Sequence, residues 1–411
     1  MRAVLTMLLM LFFIGAAGQA KPDTLDVNTL IRRWTGKKES GSKPPSSISL
    51  LPAVGYNPSL GFILGANITA GKYLGDHRTT SLSTATATAY FTTKAVINLQ
   101  LRHNVFTRNN GWNFQGNTQI TKMVMLDYGI GNGSGKTSRE GFSVMQYSTS
   151  NDSAVYPIKF NQIRLYEKAY KKVSKNIMVG AGVNIDYHFD INDQRLQADS
   201  QQFTPHYIYS KSESISPTHY FTNGLLLNIQ YTTREHPNRS YGGTLADITI
   251  RVNPKWMGST VKSTQLMTEF RKYISLSQKN PETVLAFWHL GNFLLDGKLP
   301  YLDMPSTASD TYNRSGRAYT IGRFRGPSFF YLESELRYPI TANKLLSGVV
   351  FANIQTVSDA SNNNLFKAFE PAAGAGLRIF FNRTTRTNIC IDYAVGKYGS
   401  NGLFFGLNEV F

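Results

Sequence analysis

Between Asn313 and Ile340 the chain reads NRSGRAYTIGRFRGPSFFYLESELRYPI, which sets Arg317, Arg323 and Arg325 just ahead of an alternating run carrying Glu333, Glu335 and Arg337. Guanidinium and carboxylate groups can join in bidentate ion pairs, a chemistry of fastening rather than of bond-making. Successive side chains of a strand point to opposite sides, so Phe330, Leu332, Leu336, Tyr338 and Ile340 share one face while Glu333, Glu335 and Arg337 share the other. One face is apolar and the other charged. A soluble sandwich buries such an apolar face against a second sheet, whereas a transmembrane barrel turns it to lipid and keeps the polar face in its lumen. The plain alternative for the arginines is a set of solvated loop charges, which contribute little.

Bond-making chemistry has thinner support. The stretch YGIGNGSGKTS at 128–138 imitates a phosphate loop, but the spacing before Gly135-Lys136-Thr137 needs glycine at 130, where Ile130 stands. The seven histidines show no close metal-ligand spacing, and no serine stands in the Gly-x-Ser-x-Gly pattern of a nucleophile. No catalytic residue, cofactor or metal is therefore expected. A barrel hydrolase built from residues distant in sequence stays as a minor alternative.

The first twenty residues have the form of a secretory signal: Arg2, an apolar run from Ala3 to Ala17, and Gly18-Gln19-Ala20 as a small-x-small cleavage site. The apolar run is short of the ~20 residues that a membrane-spanning helix needs. Residues 21–46 hold a short helical pattern from about Asp23 to Trp34 and a Lys/Ser/Gly/Pro linker ending at Pro44-Pro45, expected to be a periplasmic tether or small plug. The formal charge of +17 falls to +16 when Arg2 leaves with the signal. An exported basic protein with no nucleic-acid motif points to acidic lipid, lipopolysaccharide included, or surface polysaccharide as its partner. The single cysteine, Cys390, excludes an intramolecular disulfide and fits a small lumen-facing strand position.

From Ser47 onward period-two alternation predicts sixteen strands: 47–55, 60–72, 80–92, 95–106, 112–121, 156–171, 175–190, 219–234, 243–254, 262–277, 284–297, 328–340, 345–357, 369–382, 387–397 and 403–411. Ile97, Leu99 and Leu101 oppose Asn98, Gln100 and Arg102, and Leu225, Leu227, Ile229 and Tyr231 oppose Asn228 and Gln230. Soluble sandwiches alternate too, so loop lengths must decide. The three long connections, 122–155, 191–218 and 298–327, each join an odd strand to the next even one and so emerge on one side. With both termini periplasmic that side is the cell exterior, as in an all-β, 16-stranded antiparallel outer-membrane barrel over residues 47–411. An even strand count also closes the sheet and removes its edges. The last predicted strand places Leu403, Phe405, Leu407 and Phe411 on one apolar face, interrupted by Glu409. A closing aromatic such as Phe411 suits a signal read by the barrel-assembly machinery.

The opening LPAVGYNPSLGFILGA, the Arg317-Ala318-Tyr319 and GRFRG elements, ELRYPI, GAGLRIFF with IDYAVG, and the ending GSNGLFFGLNEVF together resemble the BamA/TamA family of outer-membrane proteins, or bacterial surface antigens. The likeness covers residues ~47 to 411 and is nearest to short members with a barrel but no periplasmic repeat domains. In that family an Arg-Gly-aromatic motif of the sixth outer loop folds into the barrel and its arginine meets wall acids. The resemblance implies such a pin here between Arg317 and Glu335, with Tyr319 as the aromatic and with Glu333 and Asp392 as supplements. Ala318 replaces the family's glycine, which bears on the backbone turn. Arg323 and Arg325 could share the role, and the second family acid falls at Asn353, which is uncharged.

The resemblance also implies a non-enzymatic role in outer-membrane protein assembly or translocation through first and last strands that can part. A periplasmic partner would then supply what the repeat domains do. The alternative is a passive pore or surface-binding barrel, lined by residues such as Asn98, Gln100, Arg102, Asn228 and Gln230.

Overall fold

The structure is a computed structural model that describes residues 25–27, 29, 30, 34, 47–133, 155–236, 239–311, 313–382 and 386–411, with side chains from residue 52 onward in the first strand. The expected signal segment, most of the tether and the second half of the phosphate-loop imitation lie outside the described residues. Among the described residues the chain forms sixteen strands: β1 (Ser47–Asn57), β2 (Gly61–Lys72), β3 (Ser83–Thr92), β4 (Ile97–Phe106), β5 (Trp112–Asp127), β6 (Tyr156–Lys172), β7 (Ile177–Asp193), β8 (Tyr220–Thr232), β9 (Gly243–Asn253), β10 (Ser263–Ser275), β11 (Val284–Gly297), β12 (Phe329–Pro339), β13 (Leu346–Val357), β14 (Glu370–Asn382), β15 (Thr387–Gly396) and β16 (Asn401–Leu407). Each pairs antiparallel with its sequence neighbours, and β1 meets β16 to close the barrel.

Alternation dictates the two walls. Leu227 is 60% exposed and Phe62 65%, while Asn98 and Asn228 are each 2% exposed. The apolar side chains thus form the outer wall and the polar ones face inward, the arrangement of a barrel whose solvent on the outside is lipid. No helix of the described residues is long and apolar enough to cross a membrane.

Two predicted strands differ from the observed ones in a way that matters. Strand β5 runs on to Asp127, six residues past its expected end, because its register with β6 continues without interruption to Tyr156. Strand β16 stops at Leu407 instead of reaching Phe411. The last residues turn into the lumen, so Phe411 and Glu409 are buried there at 3% exposure each, and the expectation of Phe411 on the outer apolar face is corrected. The reason is electrostatic: Glu409 meets Arg378 (2.7 Å) and Arg239 (3.5 Å), partners that exist inside and not in lipid.

At the end of the barrel carrying the long connections, the β7–β8 connection contains a helix, Pro205–Ser212, capped by Thr204, whose hydroxyl accepts from the Tyr207 amide. Tyr209 of this helix donates to the Leu299 carbonyl (2.9 Å), tying it to the β11–β12 connection. At the opposite end, the Leu25 amide donates to the Asn343 carbonyl (3.0 Å), which docks the start of the described chain on the β12–β13 turn.

Candidate functional site

The β11–β12 connection, residues 298–328, folds back into the barrel and carries Arg317 to the inner wall. Arg317 Nη2 lies 2.5 Å from Glu333 and 2.6 Å from Glu335, and its Nη1 lies 2.8 Å from Asp392. The guanidinium also stacks over the Phe351 ring, 3.3 Å from its centroid. Strand parity explains the grouping: Glu333 and Glu335 are alternate inward residues of β12, and Asp392 is an inward residue of β15. Three carboxylates around one buried guanidinium leave excess negative charge, which two further arginines offset. Arg337 Nε donates to Glu335 (2.8 Å), and Arg378 Nη1 donates to Asp392 (2.5 Å).

Space for this cluster comes from missing side chains. A Cβ on Gly376 would lie 1.8 Å from the Asp392 carboxylate, and one on Gly374 would lie 2.4 Å from Phe351. Both glycines belong to the GAGLRIFF stretch.

The loop residues beside Arg317 divide the remaining work. Ala318 takes φ of 92°, so the left-handed turn that glycine would adopt freely is kept by alanine at a conformational cost. Ser400 Oγ donates to the Ala318 carbonyl (2.6 Å), helping to hold it. Tyr319 donates to the Pro371 carbonyl (2.6 Å) and accepts from the Lys397 amide (2.9 Å), and burial pushes its hydroxyl up to about 12, so it stays a donor. A Cβ on Gly396 would come within 2.6 Å of the Tyr319 ring, which makes the glycine ending IDYAVG a seat for this tyrosine.

Arg323 and Arg325 do not reach the wall acids. Arg323 stacks over Tyr128 at 4.4 Å, and Arg325 Nη1 donates to the Tyr301 carbonyl (3.1 Å). Arg323 thus braces this connection against the β5–β6 one, and Arg325 ties the connection to itself. Asn353, at the expected place of a second acid, donates to the Arg317 carbonyl (3.3 Å), while Asp392 supplies the carboxylate from a different strand.

A second grip lies on the β6–β9 wall. Asp186 meets Arg164 (2.5 Å) and Arg251 (3.1 Å), and Asp303 of the loop accepts from Thr222 and faces His188 at 3.6 Å. Sequence reasoning did not single out these residues, nor Arg378, Arg239 and Arg314. The inward parity of Arg378, and the break that Glu409 makes in the apolar face, were the available signals.

The closing strand is bound to this same network. Arg314 donates to the Leu407 carbonyl (2.7 Å) and to the Glu409 carbonyl, and Arg337 donates to the Phe411 carbonyl (2.9 Å). Phe411 stacks on Trp288 at 5.2 Å. Drawn inward in this way, β16 pairs with β1 at a single position, Tyr56 with Phe405, among the described residues.

A closed antiparallel barrel with an apolar outer wall and a loop fastened inside defines an integral β-barrel membrane protein. The chain belongs to the Omp85 superfamily, whose domain matches residues 64–411. It is similar in structure to BamA from Haemophilus ducreyi lacking POTRA domains 1–3, with 16% identity, a TM-score of 0.55, and coverage of 89% of this chain and 70% of that one. It is also similar to CdiB from Acinetobacter baumannii (12% identity, TM-score 0.50, 88% of this chain and 59% of that one) and to CdiB from Escherichia coli (6% identity, TM-score 0.55, 89% and 63%). The chain thus spans under two thirds of either CdiB structure, and at these identities the likeness is one of fold. Among curated proteins none matches the chain by sequence.

Proposed function

We propose that this barrel acts in the Gram-negative outer membrane in assembly or translocation of other proteins, together with partner proteins, by parting β1 from β16. The observation that carries this reading is the unequal pairing of β1. It matches β2 at eleven positions and β16 at one. Unpaired backbone groups in a membrane cost several kcal/mol each, so an unzipped edge is an acceptor for another strand. Arg317, with Glu333, Glu335 and Asp392, is the pin that holds the loop in the lumen while that edge stays available. Phe411, held inside the barrel, can serve as an assembly signal only before the tail is drawn in. No residue of the pin has a bond-making role, and the reading assigns no enzymatic activity.

The test is a reversible lock. Register partners lie at a separation that a disulfide can bridge, and the native Cys390 is buried. Tyr56→Cys with Phe405→Cys should form a disulfide that stops delivery of client barrels to the outer membrane, with reductant restoring it. Full delivery by the locked barrel would contradict the reading. A steady anion-selective current from the purified barrel in a planar bilayer, with no co-purifying partners, would instead favour a passive pore.

A further inference from the structure

The outer wall carries a cationic seat that the assembly reading does not use. Lys122 on β5 and Lys159 on β6 both point outward and are exposed. Lys122 sits opposite Asn161, two residues along β6 from Lys159, so the two ammonium-bearing side chains are diagonal neighbours on one face. Such neighbours lie about 7–8 Å apart at the backbone, and like charges so placed repel. Neither makes an ion pair among the described residues, although Asp190 is near enough to accept from the Asn161 side chain at 2.8 Å. Three other lysines at this end of the barrel are matched, Lys262 with Asp296 (2.8 Å), Lys397 with Glu370 (3.3 Å) and Lys298 with Glu213, while Lys255 and Lys367 are exposed without an ion pair among the described residues but stand in connections and not on strands.

Depth identifies what could neutralise the pair. On its other side Lys122 faces Ile97, the first residue of β4, so it stands level with the β3–β4 turn at the end of the barrel that carries the long connections. Immediately below it on the same outer surface are Leu99, Ile120 and Ile163, exposed by 50%, 52% and 39%. Lys94 in the β3–β4 turn adds a further cation at that level, with its ammonium on the Pro58 carbonyl (2.5 Å). Cations directly above an exposed apolar belt suit an amphiphile with an anionic head and acyl chains.

We propose that Lys122 and Lys159 seat a phosphate of a phosphorylated glycolipid of the lipid A class in the outer leaflet, with its acyl chains against Leu99, Ile120 and Ile163. The outer leaflet is the source because this end of the barrel is the one facing the cell exterior. The inference rests on the membrane placement and orientation of the barrel and not on its assembly role.

Native mass spectrometry of the purified full chain in detergent, titrated with bisphosphorylated lipid A, tests it. The wild-type barrel should retain the lipid, and K122Q/K159Q should weaken binding about fivefold per lysine removed. The control K262Q/K298Q should bind as wild type. Lipid A stripped of both phosphates, and phosphatidylglycerol, should each bind more weakly than the bisphosphorylated form. Equal binding by K122Q/K159Q and wild type, or equal binding of phosphatidylglycerol, would overturn the proposal. A wild-type barrel that runs as folded on an unheated gel yet retains no bisphosphorylated lipid A would also overturn it, leaving the assembly reading untouched.

Discussion

Strand β1 has two unlike edges. Toward β2 it is zipped over its whole length, from Ser47 with Gly71 to Asn57 with Gly61; toward β16 it touches at Tyr56 and Phe405. Both edges belong to the same residues, so strand propensity cannot be the cause. The difference lies in the competitor for β16. Arg314 takes the carbonyls of Leu407 and Glu409, Arg378 and Arg239 take the Glu409 carboxylate, and Arg337 takes the Phe411 carbonyl. Charge-assisted bonds in the lumen outbid ladder bonds to β1. The sheet is open where the lumen is most tightly bound.

The largest effect is expected from Arg317→Ala, which leaves Glu333, Glu335 and Asp392 without their shared cation and should cost about 3–5 kcal/mol. The midpoint of heat-induced band conversion on gels should fall, and trypsin should cut the 298–328 connection in isolated outer membranes. A smaller loss of about 1–3 kcal/mol is expected from Glu335→Gln, because two carboxylates remain on Arg317. Wild-type protease resistance of the loop in that variant would count against the pin.

Arg314→Ala frees the closing strand rather than the loop. Extending the Tyr56–Phe405 register by two residues would place Val54 opposite Leu407, so a cysteine pair at those positions should cross-link slowly in wild type and severalfold faster when Arg314 is removed. Unchanged cross-linking would mean that this arginine does not hold the seam apart.

Acid should act on the same tail. Burial alone would raise the Glu409 carboxyl, but Arg378, Arg337 and Arg239 outweigh it and hold it well below the usual carboxylate range. Its contribution is therefore present above the unfolded value of roughly 4.3 and is lost as pH falls below that toward the depressed folded value. Tail accessibility, read by carboxypeptidase or labelling near Phe411, should stay constant from neutral pH to about 5 and rise only in stronger acid. The smallest effect is expected from Ala318→Gly, which relieves a left-handed alanine and should raise the same thermal midpoint by an amount worth about 1 kcal/mol.

Much of the barrel was legible because its signal is local. Parity in YLESELRYPI puts Glu333, Glu335 and Arg337 on the lumenal face, and those residues are 0%, 0% and 2% exposed. Loop lengths told the two ends apart for the same reason. The seam was not legible, since the end of β16 is decided by arginines on β14, in the β8–β9 turn and in the β11–β12 connection, all remote in sequence. Alternation through Phe411 suggested a longer strand, and Glu409 was read as a blemish on an apolar face when it is the residue that turns the chain inward. The meeting of Arg317 with Glu333, Glu335 and Asp392 was expected from the family resemblance and not from any local pattern, because β12 and β15 come together only through the curvature of the closed sheet.

Hydrogen–deuterium exchange of the folded barrel in detergent tests the unequal seam most directly. Strand β13 is paired over eleven positions with β12 and ten with β14, whereas β16 is paired over seven with β15 and one with β1. Peptides covering Asn401–Leu407 should therefore lose protection at about half of their amides within minutes, while those covering Leu346–Val357 stay protected for hours. Equal, slow exchange in the two strands would contradict an unzipped β1–β16 edge and the function built on it.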